Sequence, residues 1–321
     1  MPRRRFPVMT LVILGLAACA PPEGKKPSAL QCDVSLLVLG VAQDAGKPQI
    51  GNPQDPAWDD PSRRRLATSL ALVDGRGEKP RRWLFDATPD IKEQLHRLNK
   101  AAPTDKPARV DGVFLTHAHI GHYAGLMMFG NEAAGAENIQ VFAMPRMADF
   151  LTANGPWSQL VVYHNIFLAI MEEGEAEMLA EGITVTPFLV PHRQEFSEVA
   201  GFIIQGPEKS AIFLPDIDSW EQWDKAGTRI EDRIAAVDYA FLDASFYSGE
   251  ELPGRDMSKV PHPLVTHSVQ RFAALPSSEK AKIRFIHMNH TNPLLDPDAP
   301  EGAAVRKAGF EIAREGDEAC L

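Results

Sequence analysis

Val113-Phe114-Leu115-Thr116-His117-Ala118-His119-Ile120-Gly121-His122 is the stretch whose reading decides what kind of protein this is. Val113-Phe114-Leu115 reads as a short buried strand, and it runs straight into three imidazoles within six residues. A strand would send alternate side chains to opposite faces, but a strand-to-helix turn relaxes that alternation, so His117, His119 and His122 can converge on one point. Neutral imidazole is the commonest protein ligand for zinc and similar borderline metals, and three rings crowded together without an ion bring no packing benefit. The stretch predicts a metal centre at a strand terminus.

Other apolar runs end in the same way. Val190-Pro191-His192 follows the run over residues 184–189, and Phe285-Ile286-His287 places another imidazole just past a strand. Phe213-Leu214-Pro215-Asp216 repeats the arrangement with a carboxylate, the group suited to bridging two cations. Asp218 competes with Asp216, but Asp218-Ser219 precedes Trp220-Glu221-Gln222 and reads as a helix capping box. His290 competes with His287. His96 and His164 read as structural, and Trp157, Trp220 and Trp223 as core or interface packing.

The rest of the chain supports a layered α/β body. Its 321 residues are 44% hydrophobic and 24% charged, enough apolar material for a large core, which excludes a disordered or fibrous protein. Strands are expected at 34–39, 67–73, 83–86, 112–115, 139–143, 183–189, 199–204, 210–214, 239–242 and 283–286, with helices near 89–99, 122–130, 145–154, 218–225 and 267–275. Residues 43–64, polar and rich in Gly, Pro and Asp, read as a long loop of the functional kind. No Gly/Ser linker interrupts the chain after residue 32, so residues 32–321 are expected to form one domain. The net charge of -10 argues against a general nucleic-acid binder, because no surplus of Lys and Arg exists to displace counterions.

The amino terminus reads as a targeting segment. Arg3, Arg4 and Arg5 precede an apolar run too short to anchor in a bilayer, which closes on Leu16-Ala17-Ala18-Cys19. This resembles a bacterial lipoprotein signal. The resemblance implies cleavage after residue 18, lipidation of Cys19, a tether over 19–31 and, with Ala20 following, a place on the outer membrane facing the periplasm. In that oxidising compartment Cys32 and Cys320 can tie the two ends of the domain together by a disulfide, with two separate free thiols as the alternative.

The histidine cluster and the strand-end donors together resemble the metallo-β-lactamase fold, which implies a four-layer αββα sandwich with metals at one edge between the sheets. Leu39-Gly40-Val41-Ala42-Gln43-Asp44-Ala45-Gly46, Asp86-Ala87-Thr88-Pro89-Asp90-Ile91 and Phe285-Ile286-His287-Met288-Asn289-His290-Thr291-Asn292-Pro293-Leu294-Leu295 are similar to the pyrroloquinoline quinone biosynthesis protein B family. Phe241-Leu242-Asp243-Ala244-Ser245-Phe246 and Pro261-His262-Pro263-Leu264 bear a more distant likeness to RNase Z, which implies that Asp243 and His262 act as an acid/base or orienting pair. The resemblance assigns one ion, zinc with iron or manganese as alternatives, to His117, His119, His192 and Asp216, and a second to His122, Asp216 and His287. It implies hydrolysis of a small-molecule ester, amide or phosphoryl bond by metal-activated water, with an iron-dependent oxidative role in quinone cofactor maturation or a non-catalytic binding role as alternatives. One residue departs from the pattern. Two-metal members usually carry Asp where this chain has Gly121, so the second ion is expected to be short of one donor and Gly121→Asp to raise its occupancy, provided the turn at residue 121 tolerates a side chain.

Overall fold

The structure is a computed structural model that describes residues 29–321 apart from residue 107, together with residue 2. The signal segment, Cys19 and most of the tether lie outside the described residues. Fourteen strands occur among those described: β1 (Val34–Gly40), β2 (Ser69–Asp74), β3 (Arg81–Phe85), β4 (Gly112–Phe114), β5 (Ile139–Ala143), β6 (Ile166–Ile170), β7 (Glu177–Ala180), β8 (Ile183–Leu189), β9 (Ala200–Gln205), β10 (Ser210–Leu214), β11 (Tyr239–Asp243), β12 (Ile283–Ile286), β13 (Glu311–Ile312) and β14 (Glu318–Cys320). They form two seven-stranded sheets, ordered β14-β1-β2-β3-β4-β5-β6 and β13-β12-β11-β10-β9-β8-β7.

Each sheet is half antiparallel and half parallel. Pairing from β14 through β3 is antiparallel and from β3 to β6 parallel. In the second sheet β7 to β10 pair antiparallel and β10 to β13 parallel. Parallel neighbours need long crossovers, and helices such as Ile91–Ala101, Pro145–Ala153 and Val265–Arg271 supply them. The carboxyl ends of β4, β10, β11 and β12 are therefore free of hairpins and open into loops at one edge, where ligands of α/β sheets are usually held.

Side-chain alternation sorts the core into layers. Along β3 and β4, Trp83, Phe85 and Phe114 face the opposite sheet, whereas Leu84 and Val113 face helix residues Ile91 and Leu98 on the outside. Between the sheets Phe114 stacks on Phe85 and Phe142, with ring centroids 5.1 and 4.2 Å away, and meets Phe202 of the second sheet at 5.7 Å. This is the αββα sandwich implied by the resemblance. Trp220 and Trp223 are buried in the core cluster.

Cys32 and Cys320 are joined by a disulfide with a Cα separation of 5.6 Å, beside the β1–β14 pairing of Ser35 with Cys320. Glu318 accepts hydrogen bonds from the backbone N–H groups of Gln31 and Cys32, so the first and last described segments are held together twice. Among the described residues no helix is long and apolar enough to cross a membrane.

Candidate metal centre

The turn after β4 does what the histidine spacing predicts. His119 keeps an extended backbone and caps the short helix Ile120–Tyr123, which carries His122 one turn away. His117 Nε2 lies 2.8 Å from His119 Nδ1, and His119 Nδ1 lies 3.3 Å from His192 Nε2, delivered from the end of β8. Ligand nitrogens around a tetrahedral zinc are about 3.3 Å apart, so this triad has the dimensions of a single-ion site.

Asp216 stands between that triad and a second set of donors. Its Oδ1 is 3.6 Å from His192 Nε2, and its Oδ2 is 3.8 Å from His117 Nε2, 3.0 Å from His122 Nε2 and 3.3 Å from His287 Nε2. His122 Nε2, His287 Nε2 and Asp216 Oδ2 are buried and have no hydrogen-bond partner. Each such orphaned group costs about 1–3 kcal/mol, so three facing one another are a penalty that divalent cations would remove at once. The donor set fits the ions that the sequence called for.

What aims the rings is a layer of hydrogen bonds behind them. His122 Nδ1 donates to Asp86 Oδ2 at 2.7 Å, and His192 Nδ1 donates to Asp218 Oδ1 at 2.8 Å. His117 Nδ1 donates to Thr116 Oγ1 at 2.9 Å, which hands on to Asp86; His287 Nδ1 donates to Ser245 Oγ at 3.0 Å, which hands on to Asp243 at 2.8 Å. His119, the half-buried member, uses Nε2 to reach Glu195 at 3.2 Å. With one nitrogen of each ring occupied outward, the other faces the centre as a lone pair, which is how outer partners fix a metal ligand's tautomer.

Asp86 and Ser245 escaped the sequence reading as positioning residues, although both lie in the family-like stretches. Asp86 and His287 adopt φ +64°, a left-handed conformation that Asp and His tolerate better than most residues and that turns each side chain off its strand. Asp218 is not the helix cap: Ser219 accepts from the N–H groups of Glu221 and Gln222, which leaves Asp218 to orient His192. His290 is outside the donor set, its Nδ1 3.4 Å from Asn52 Nδ2.

Asp243 and His262 sit together beside Asp216. Asp243 Oδ2 accepts from Ile217 N at 3.0 Å and from His262 Nδ1 at 2.9 Å, and His262 Nδ1 is 3.6 Å from Asp216 Oδ1. Burial disfavours a charged imidazole, but the Asp243 carboxylate outweighs it and lifts His262 to about 9. His117 goes the other way: burial, with His122 adding to it, holds the ring well below its ordinary value.

Gly121 has a carboxylate against it that the sequence reading did not place there. A Cβ built there would fall 2.4 Å from Asp44 Cα and 2.4 Å from Asp44 Oδ1, so the volume where the family's aspartate would begin is already taken by Asp44, from the loop after β1. Asp44 Oδ1 is 3.5 Å from His122 Nε2, and the ligand atoms of Asp44, His122 and His287 lie within 4.8 Å of one another. The expectation that Gly121→Asp would raise occupancy required that residue 121 accept a side chain, and that condition fails, because an added Cβ would collide with the Asp44 backbone. The signal was Gln43-Asp44-Ala45-Gly46 itself, a family-like stretch whose aspartate lies in a polar loop and closes no apolar run.

Comparison with known proteins agrees with the fold. A family model described as Beta-lactamase superfamily domain matches residues 81–293. Coenzyme PQQ synthesis protein B of Xanthomonas campestris pv. campestris (strain B100) is 26% identical over 319 residues, covering 89% of this chain and 99% of its own. Zn(2+)-bound PqqB from Methylobacterium extorquens superposes with a TM-score of 0.73 at 23% identity, over 89% of this chain and all of that one (100%). Human tRNase Z, short form, shares the fold at a TM-score of 0.54 and 14% identity, over 89% of this chain and 99% of its own.

Proposed function

The chain belongs to the Beta-lactamase superfamily domain family, and from that premise we propose that it is a metal-dependent hydrolase of a small-molecule ester, amide or phosphoryl bond, lipid-anchored in the bacterial cell envelope. The observation that carries the reading is the convergence of His122 Nε2, His287 Nε2 and Asp216 Oδ2, all buried and without hydrogen-bond partners, next to the His117–His119–His192 triad. Zinc, or iron or manganese given the carboxylate among imidazoles, would supply a Lewis acid and a water of lowered pKa when bound there. Everything else is the work of side chains. Asp86, Asp218 and Ser245 hold the imidazoles in one tautomer and one direction. His262 has Nδ1 committed to Asp243, so Nε2 is the nitrogen left to pass a proton to a departing oxygen or nitrogen.

A second reading is favoured by the 26% identity to coenzyme PQQ synthesis protein B across 89% of the chain: an iron-dependent role in maturation of a quinone cofactor. The location is supported by the Leu16-Ala17-Ala18-Cys19 sequence and by the Cys32–Cys320 disulfide, a bond that persists in oxidising compartments. The test is metal analysis of protein purified without chelators, followed by an esterase, phosphodiesterase and lactonase panel on the unmodified chain and His119→Ala. Hydrolysis that a chelator abolishes, that Zn2+ restores and that His119→Ala lacks is the expected result. Metal-free protein, or turnover indifferent to the chelator, would overturn the hydrolase reading; metal-dependent oxidation without hydrolysis would move the assignment to the second one.

A further inference from the structure

We propose that Asp44 is a ligand of the second cation position, supplying from the loop after β1 the carboxylate that other two-metal members of the family carry at the position of Gly121. The inference rests on reading the cluster as a metal centre and adds to it a donor from a separate loop. Three observations support it. The first is space: Asp44 Cα and Oδ1 lie 2.4 Å from the point where a Cβ on residue 121 would stand, an approach possible only because residue 121 is glycine.

The second is how firmly the loop is tied to the site. Met288, directly after His287, donates its N–H to Val41 O at 2.9 Å and accepts from Gln43 N at 2.8 Å. That bridge fixes the backbone just before Asp44 to the backbone just after a ligand. Gly46, at φ +73°, then reverses the chain with its N–H on Gln43 O at 3.0 Å, leaving Asp44 at the tip of a tight turn against His122. Lys47 adds an ammonium-to-carbonyl contact with His290 O at 3.1 Å, so the same segment is pinned on both sides of the turn.

The third is the state of the neighbouring atoms. His122 Nε2 and His287 Nε2 are buried without partners and face the Asp44 carboxylate, which is the only half-exposed member of the group at 47% side-chain exposure. Two imidazole nitrogens with two carboxylates, Asp44 and Asp216, make a second position richer in oxygen than the first, which has three imidazoles and the shared Asp216. Oxygen donors suit harder cations, so the second position accepts manganese or iron more readily than the first. It also depends on the docked loop, whereas the first does not.

The experiment counts ions rather than turnover. Apo protein is titrated with Zn2+ alone and analysed by elemental mass spectrometry after gel filtration, for the unmodified chain, Asp44→Asn, Asp44→Ala and Gly121→Ala. The unmodified chain is expected to hold two ions and each variant one, the second binding at least about 100-fold more weakly, beyond the 10–100-fold typical of losing an outer partner. Asp44→Asn keeps the shape of a half-exposed side chain, and its apo melting temperature, matching the unmodified apo protein, separates ligand loss from misfolding. Two retained ions in both Asp44 variants, or one ion in the unmodified chain, would overturn the assignment of Asp44 while leaving the metal-centre reading intact. No bound ion in any of them would overturn it together with the metal-centre reading.

Discussion

Cutting the Cys32–Cys320 bond should lower the melting temperature by about 5–10 °C without unfolding the protein. The bond spans 288 residues, and a cross-link over so long a loop removes chain entropy from the unfolded state worth about 6 kcal/mol as a ceiling, with about 3 kcal/mol nearer the usual yield. Unfolding entropy of about 2.1 cal/mol/K per residue gives roughly 0.6 kcal/mol per degree for a body of this size, which converts those energies to the stated range. The native state keeps its ends in register after the cut, because Ser35 pairs with Cys320 across β1 and β14 and Glu318 still accepts from Gln31 and Cys32 N–H. The effect therefore falls on the unfolded chain, and the variant should fold. The assay is thermal unfolding of the unmodified protein and of Cys32→Ser/Cys320→Ser, each with and without a phosphine reductant, with peptide mapping of the thiols. Reduced unmodified protein and the double variant should melt together, below the oxidised form, and reductant should not move the double variant. Equal melting of the oxidised and reduced forms, or mapping that finds both thiols free in the isolated, unreduced protein, would refute the reasoning.

Asp218→Asn should weaken the first ion by roughly 10–100-fold while changing the fold little, since the 2.8 Å bond to His192 Nδ1 is what fixes that ring's tautomer; unchanged Zn2+ affinity in a chelator competition would show that His192 needs no such support. Arg271→Ala should cost about 1–3 kcal/mol at neutral pH, because Arg271 bonds Glu231 at 2.7 Å and Asp224 at 2.9 Å, with the Asp224 share reduced by solvent screening. Arg271 holds Asp224 below its ordinary 3.8 and, against the burial that would raise it, Glu231 below its ordinary 4.5. Depressed carboxylates stabilise above those values and lose that contribution as pH falls through the folded-state ones, so the gap between variant and unmodified protein should close in acid and persist at pH 7; a gap that widens in acid reverses the sign and refutes the pairing. Cys19→Ser should abolish palmitate incorporation and membrane fractionation, and labelling that survives the substitution would dismiss the lipoprotein reading.

Four of the candidate donors that sequence alone could name share one property: each closes an apolar run. His117, His192, Asp216 and His287 follow β4, β8, β10 and β12, where hydrophobic patterning marks the strand and the first polar donor marks its end. The tight spacing of His117, His119 and His122 did the rest, because donors within six residues of chain need no knowledge of the fold to be seen as neighbours. Elements without an internal pattern were not legible. β6, β7, β13 and β14 lie at or near sheet edges, the last two only two and three residues long, and they exist because a partner strand offers hydrogen bonds. The short helices Trp157–Val162 and Ile230–Ala235 are likewise too brief for a period to show.

Asp86, Ser245 and Asp218 needed the tertiary structure, since an orienting partner is defined by the ring it holds and not by its own surroundings in the chain. Asp44 needed it most. The sequence by itself determined the strand-end donors, the two cysteines and the glycine where an aspartate is usual; it could mark that place as changed but not say what had moved in. Only the packing of β1 and its loop against the ends of β4 and β12 brings Asp44 beside Gly121, His122 and His287, because contacts between residues so far apart in the chain are set by how the two sheets close on each other and leave no trace in local periodicity.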